Sequence, residues 1–84
     1  MEIEHQPDRQ RFVCEEEGQT SVLEYRMLTE SRIDFSYTFV PQALRGRGIA
    51  ERLVRRGLAW ARDRGYGIEA SCWYVRRFLR GTRP

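Results

Sequence analysis

The stretch Arg45-Gly46-Arg47-Gly48-Ile49-Ala50 combines residue types and spacing that could bind an anion. Two glycines within three residues let the backbone turn sharply and come close to a ligand with no Cβ in the way. If a helix starts here, its first N–H groups lack intrahelical acceptors and carry the positive end of the macrodipole. Arg45, Arg47 and Arg52 add full charges, so a phosphate or pyrophosphate is the first ligand to consider. An ordinary left-handed turn would use the same glycines without a ligand. A Walker A loop would need Gly-Lys-Ser/Thr, and Ile49-Ala50-Glu51 excludes it. A Rossmann fingerprint would need a small residue at position 51 and would open the domain, and neither holds.

The elements around the loop must present it. Upstream, Arg11–Glu15 reads as a short strand closed by a turn at Gly18, and Thr20–Leu28 as a second with Leu23, Tyr25 and Met27 on one face. Arg32–Val40 alternates as a third, placing Ile33, Phe35, Tyr37 and Phe39 together, with Tyr37 in the core, until Pro41 ends it. Downstream the period becomes helical from Ile49 to about Arg64. Leu53, Val54, Gly57, Leu58 and Ala61 share one stripe, and Gly57 implies close contact with the sheet. Gly65 stops the helix. Gly67–Cys72 reads as a fourth strand, parallel to the third through a crossover, and Trp73–Arg80 as a short last helix. Residues 1–9 lack periodicity and are expected to fray, leaving His5 outside any site.

Composition bounds the possibilities. Eighty-four residues make a single domain that buries about 60–65% of its unfolded surface. No apolar run approaches the roughly 20 residues of a membrane span, and the charged start lacks a secretory h-region, so a soluble cytoplasmic protein is expected. Cys14 and Cys72 have no CxxC spacing or histidine cluster, which leaves reduced thiols and no metal site. Charge is uneven. Residues 1–44 carry four arginines against nine acids, a net of −5, whereas residues 45–84 carry eleven arginines against three acids, a net of +8. The basic half implies a polyanionic partner, either nucleotide-like phosphates or nucleic acid.

Val40-Pro41-Gln42-Ala43-Leu44-Arg45-Gly46-Arg47-Gly48-Ile49-Ala50, followed by Leu53-Val54 and Leu58-Ala59-Trp60-Ala61, resembles the acetyl-CoA-binding segment of the GNAT N-acetyltransferase superfamily. Its signature, Gln/Arg-x-x-Gly-x-Gly/Ala, is matched by Arg45, Gly48 and Ala50. The tail Cys72-Trp73-Tyr74-Val75-Arg76-Arg77-Phe78-Leu79 resembles that of the small stand-alone YidJ-like branch, and the likeness covers about residues 10–80. It implies an α+β, GNAT-like fold: a three-stranded antiparallel meander, signature loop and helix, a fourth strand parallel to the third, and a short C-terminal helix. The pair Tyr37-Thr38 stands where the branch often has His-Thr, and Phe78 replaces an expected aromatic hydroxyl.

The resemblance implies an acetyl-CoA-dependent N-acetyltransferase with an unidentified amine acceptor, either a small amine or a protein lysine. The amides of Gly46, Arg47, Gly48, Ile49 and Ala50 would hold the pyrophosphate, helped by Arg45, Arg47 and Arg52, and the pantetheine arm would run beside Phe39 and Val40. A backbone N–H near Phe39 or Val40 would receive the carbonyl oxygen as it gains charge. Cys72 would be a nucleophile, a proton carrier or a core residue, with a thiolate favoured by cations such as Arg76. Tyr74 would be the acid for the leaving thiolate, and Asp34 and Glu69 are candidate bases. Cys14 is given no function. The departures at Tyr37 and Phe78 keep a CoA-binding module without turnover as an alternative, and the arginine-rich half keeps nucleic-acid binding as another.

Overall fold

The computed structural model describes residues 2–81. Five strands form one sheet in the order β1-β2-β3-β4-β5, with β1 Ile3–Gln6, β2 Arg11–Glu16, β3 Gln19–Thr29, β4 Arg32–Phe39 and β5 Gly67–Ala70. The first four are antiparallel and β5 is parallel to β4, as a strand following a helical crossover should be. Helix α1 spans Ile49–Asp63 and α2 spans Trp73–Gly81. Glu17 and Gly18 both have positive φ, the tight two-residue turn that matches strand twist between β2 and β3. Gly65, at φ +75°, follows the end of α1.

The apolar stripe of α1 packs on one face of the sheet. Leu53, Val54, Leu58 and Ala61 are buried against Phe12, Leu23, Ile33 and Phe35, and α2 adds Val75 to the same core. Gly57 is what lets helix and sheet meet, because a Cβ there would stand 2.7 Å from Leu23 Cδ2 and 3.1 Å from Phe35 Cε1.

Two expectations are corrected. The start of the chain is ordered: Ile3–Gln6 pairs with β2, and of residues 1–9 only Met1 lies outside the described residues. His5 is held by packing that its own neighbours in sequence do not reveal. Its ring stacks on Phe12 at 4.1 Å, meets Trp60 edge-on, and its Nε2 lies 2.7 Å from the Tyr25 hydroxyl. Burial, with Arg56 and Arg64 nearby, pushes the His5 pKa below its ordinary 6.5. A group that binds protons less readily folded than unfolded costs stability once the unfolded chain begins to take them up. Stability is therefore expected to be complete above pH 6.5 and to fall as pH drops below it, and pH-dependent urea unfolding of His5→Gln should show a flatter profile there than wild type.

The second correction concerns β4. Tyr25 pairs with Phe35, but Glu24 pairs with Tyr37, so Ser36 is an extra residue forming a β-bulge. The bulge reverses the alternation. Ile33 and Phe35 face α1, while Tyr37 and Phe39 turn to the opposite face, 48% and 40% exposed, and Tyr37 is not a core residue. Thr38 and Val40 take their place on the helix side, opposite the parity read from sequence.

Candidate functional site

The β4–β5 pairing ends at Phe35 and Ala70, and the Cys72 N–H donates to the Phe35 carbonyl at 3.1 Å. From there the chain leaves the sheet to begin α2, so among the described residues the edge of β4 from Ser36 to Phe39 has no strand beside it on that side. The gap is a groove of about 520 Å³. One wall is Thr38, Phe39 and Val40, the other is Cys72, Trp73 and Tyr74, and one end is closed by the glycine loop with the first turn of α1.

That loop keeps its donors free. Gly46 and Gly48 have φ of +85° and +80°, with nothing within 4 Å of where a Cβ would be, so conformation and not crowding requires glycine. Arg52 N–H donates the first bond of α1 to the Gly48 carbonyl. The N–H groups of residues 46–51 have no backbone acceptor among the described residues. Such donors at the positive end of a 15-residue helix fit an anionic group.

Nine of the residues singled out from sequence line this one groove: Phe39, Val40, Arg45, Gly46, Gly48, Ile49 and Ala50 from the β4–α1 segment, and Cys72 and Tyr74 across from them. Arg45 turns its Nε back to the Val40 carbonyl at 2.9 Å, bracing the loop against β4. Two residues stand off the lining. Arg47 forms an exposed ion pair with Glu17 at 2.6 Å, tying the loop to the β2–β3 turn, and Arg52 is exposed on α1. Thr38, Leu44, Glu51 and Trp73 line the groove without having been singled out. Thr38 matters most of these, since its Oγ1 lies 3.5 Å from Cys72 Sγ. Its side chain could have been assigned only by knowing that Ser36 is bulged.

Cys72 caps α2, its carbonyl accepting the Arg76 N–H at 3.0 Å. The Arg76 guanidinium is committed to the Ala70 carbonyl at 3.0 and 3.2 Å. Burial, with Glu51 adding to it against Arg77 and Arg55, pushes the Tyr74 hydroxyl above its ordinary 10, so it is protonated at neutral pH and able to donate. Cys14 is buried under α1 and its thiol is pushed up by burial and Glu16, which suits an inert core cysteine.

The two candidate bases are engaged elsewhere. Burial alone would raise Asp34, but hydrogen bonds from the Ser71 hydroxyl, Arg26 and the Ser71 N–H overcome it and hold the carboxyl below its ordinary 3.8. The contacts are 2.7, 2.9 and 2.7 Å, and they fix the turn that carries Cys72. Glu69 pairs with Arg32 at 2.6 Å on the surface. No group of side chains able to hold a metal ion occurs among the described residues. Among the described residues no helix is long and apolar enough to cross a membrane.

A meander, a glycine turn into a helix, and a parallel strand that parts from its neighbour over that turn make up the GNAT-like α+β arrangement. The chain belongs to the GCN5-related N-acetyl-transferase family, whose model matches residues 11–83. It is also similar over 82 residues to Protein NATD1 of Bos taurus, at 30% identity, spanning 95% of this chain and 73% of that protein. Protein NATD1 of Gallus gallus and of Homo sapiens are each 29% identical over the same share of this chain, covering 74% and 73% of their own lengths.

Proposed function

We propose that this chain is an acetyl-CoA-dependent N-acetyltransferase working in the cytoplasm on a primary amine. The observation that carries the reading is the groove itself, where unpaired loop donors, a strand edge without a neighbour and a thiol–hydroxyl pair meet within one cavity. When bound, acetyl-CoA supplies a thioester whose carbonyl carbon is open to attack.

The amides of residues 46–51 hold the pyrophosphate, and Arg52 pairs with a phosphate oxygen. Arg47 joins it by leaving Glu17, an exposed pair worth only about 0–1 kcal/mol. Phe39 and Val40 flank the pantetheine arm along the open edge of β4. A backbone N–H near Phe39 or Val40 donates to the carbonyl oxygen as negative charge gathers on it. Tyr74 donates its proton to the departing sulfur, and the positive end of α2 favours the charge developing there. The unprotonated amine attacks the carbonyl carbon directly and releases a proton to water as the C–S bond to CoA breaks. Alternatively Cys72 Sγ, its proton passing to water, first takes the acetyl group as that bond breaks, and the amine then takes the acetyl group from Cys72 Sγ, which regains a proton. Thr38 orients the thiol in either route.

The test is calorimetric titration of acetyl-CoA, CoA and a CoA analogue without phosphates into wild type and Cys72→Ala, followed by turnover with a panel of amines. Binding that requires the phosphates, in both proteins, is expected. A stoichiometric burst of CoA release lost in Cys72→Ala would mark the covalent route. Failure of acetyl-CoA to bind would overturn the reading, and binding without consumption by any amine would leave a CoA-binding module.

A further inference from the structure

We propose that the acceptor is a lysine side chain on a basic stretch of polypeptide, laid across the face of the sheet that no helix covers. This rests on the N-acetyltransferase reading above. Both helices pack on the Phe12, Leu23, Phe35 side, so among the described residues no helix covers the opposite face, where Tyr37 and Phe39 are exposed while Val13 and Asp34 are buried. The strand register sets out its rows. Glu4, Val13, Val22 and Phe39 lie side by side, and Arg11, Glu24 and Tyr37 form the next row.

The open face and the groove are continuous. Tyr37, Phe39 and Trp73 are three of the four exposed large hydrophobic residues among those described, at 48%, 40% and 67% exposure. Phe39 and Trp73 also line the groove, on its two opposite walls. An acceptor crossing the face reaches the Thr38–Cys72 pair by passing between those two rings.

Shape and charge then select the acceptor. Small-molecule sites are concave and bury most of the ligand, whereas this face is the surface of a sheet with half-exposed rings at Tyr37 and Phe39. A polypeptide can cover such a surface, and exposed aromatics bind ammonium and guanidinium groups over their faces. The Arg77 guanidinium already lies 5.8 Å from the centroid of the Trp73 ring, so Tyr37 and Phe39 are the rings that would receive such a group. Glu4, Glu15 and Glu24 stand on this face without an ion pair among the described residues. The arginines nearest them are engaged: Arg11 donates to Gln6 and Arg26 to Asp34. The helical side carries most of the net +8 of residues 45–84 and repels a basic chain, which leaves the acidic sheet face as its approach.

The experiment compares acetyl transfer from acetyl-CoA to three probes: an N-terminally blocked decapeptide with one lysine among arginines, the same peptide with glutamates for arginines, and butylamine. Binding of the basic peptide to the CoA-loaded protein is read separately from tryptophan fluorescence. The basic peptide is expected to exceed both other probes in kcat/KM by about 30-fold. That advantage should fall about tenfold in Glu15→Lys/Glu24→Lys, in line with like-charge juxtaposition, with acetyl-CoA affinity unchanged. Butylamine or the acidic peptide performing as well as the basic one would overturn the proposal and leave the N-acetyltransferase reading intact. Acetyl-CoA consumed with no probe would overturn that reading and the acceptor assignment with it. A solution dimer dissolved by Tyr37→Arg would give the face to a second copy and overturn the proposal alone.

Discussion

Gly48→Glu is expected to weaken acetyl-CoA binding by about 100-fold or more in a protein that still folds, close to 3 kcal/mol at 1.4 kcal/mol per tenfold. Gly48 sits at φ +80°, where any L-residue costs roughly 1–2 kcal/mol, and its carbonyl accepts the first hydrogen bond of α1 from the Arg52 N–H. No protein atom lies within 4 Å of the new Cβ, so the side chain has room and no core contact is lost. What it brings is a carboxylate at the end of the groove where the unpaired N–H groups converge, in the place proposed for a pyrophosphate. Gly65→Glu separates strain from ligand contact. Gly65 has nearly the same φ, +75°, and an equally open surrounding, but lies after α1, off the groove lining. Calorimetry should find both variants destabilised alike and only Gly48→Glu deficient in binding. Equal affinities would show that the loop is a turn with no part in the cofactor site.

Gly57→Leu should be the most damaging single substitution for stability. An 84-residue chain has roughly 4–13 kcal/mol of stability to lose. The first added carbon alone meets Leu23 Cδ2 at 2.7 Å and Phe35 Cε1 at 3.1 Å, both fully buried side chains that cannot swing into solvent. Overpacking of a tight core costs about 1–3 kcal/mol or more, and a leucine forces α1 away from the sheet along its length. A loss near 3 kcal/mol corresponds to a fall in Tm of about 12–24 °C for a chain of this size. Gly57→Ala makes the argument sharper, because alanine is favoured in a helix interior by about 1 kcal/mol. Thermal melts should nevertheless place it below wild type, and a rise in Tm would mean that the helix–sheet contact has slack.

The parts of the fold that were legible in sequence are those governed by short-range rules. The 3.6-residue stripe of α1, the turn glycines at Gly18 and Gly65, the close approach at Gly57 and the parallel placement of β5 each follow from local geometry or from connection rules. The glycine loop was legible because only particular residues can make it. β1 was not, since Glu2-Ile3-Glu4-His5 is too short and polar to signal a strand, and His5 is held by Phe12, Tyr25 and Trp60, which come from three other elements. Thr38 was hidden by the bulge, because Ile33-Asp34-Phe35-Ser36-Tyr37-Thr38-Phe39 alternates without a break in its letters. The ties of Asp34 to Ser71 and of Arg47 to Glu17 join residues 37 and 30 apart, and no local pattern announces such pairs.

Ser36 gives β4 something like a reading frame. Because one unmatched residue exchanges the two sides of the strand beyond it, a chain lacking Ser36 would pair regularly and keep the present sides, whereas the same residues paired without the bulge would send the rings of Tyr37 and Phe39 toward the α1 side and turn Thr38 and Val40 away from it. Four side chains would trade surroundings without any of them changing identity. Substitution alters this region one contact at a time, whereas pairing alters it wholesale, so the register of β4 against β3 beyond Phe35 is itself part of the site.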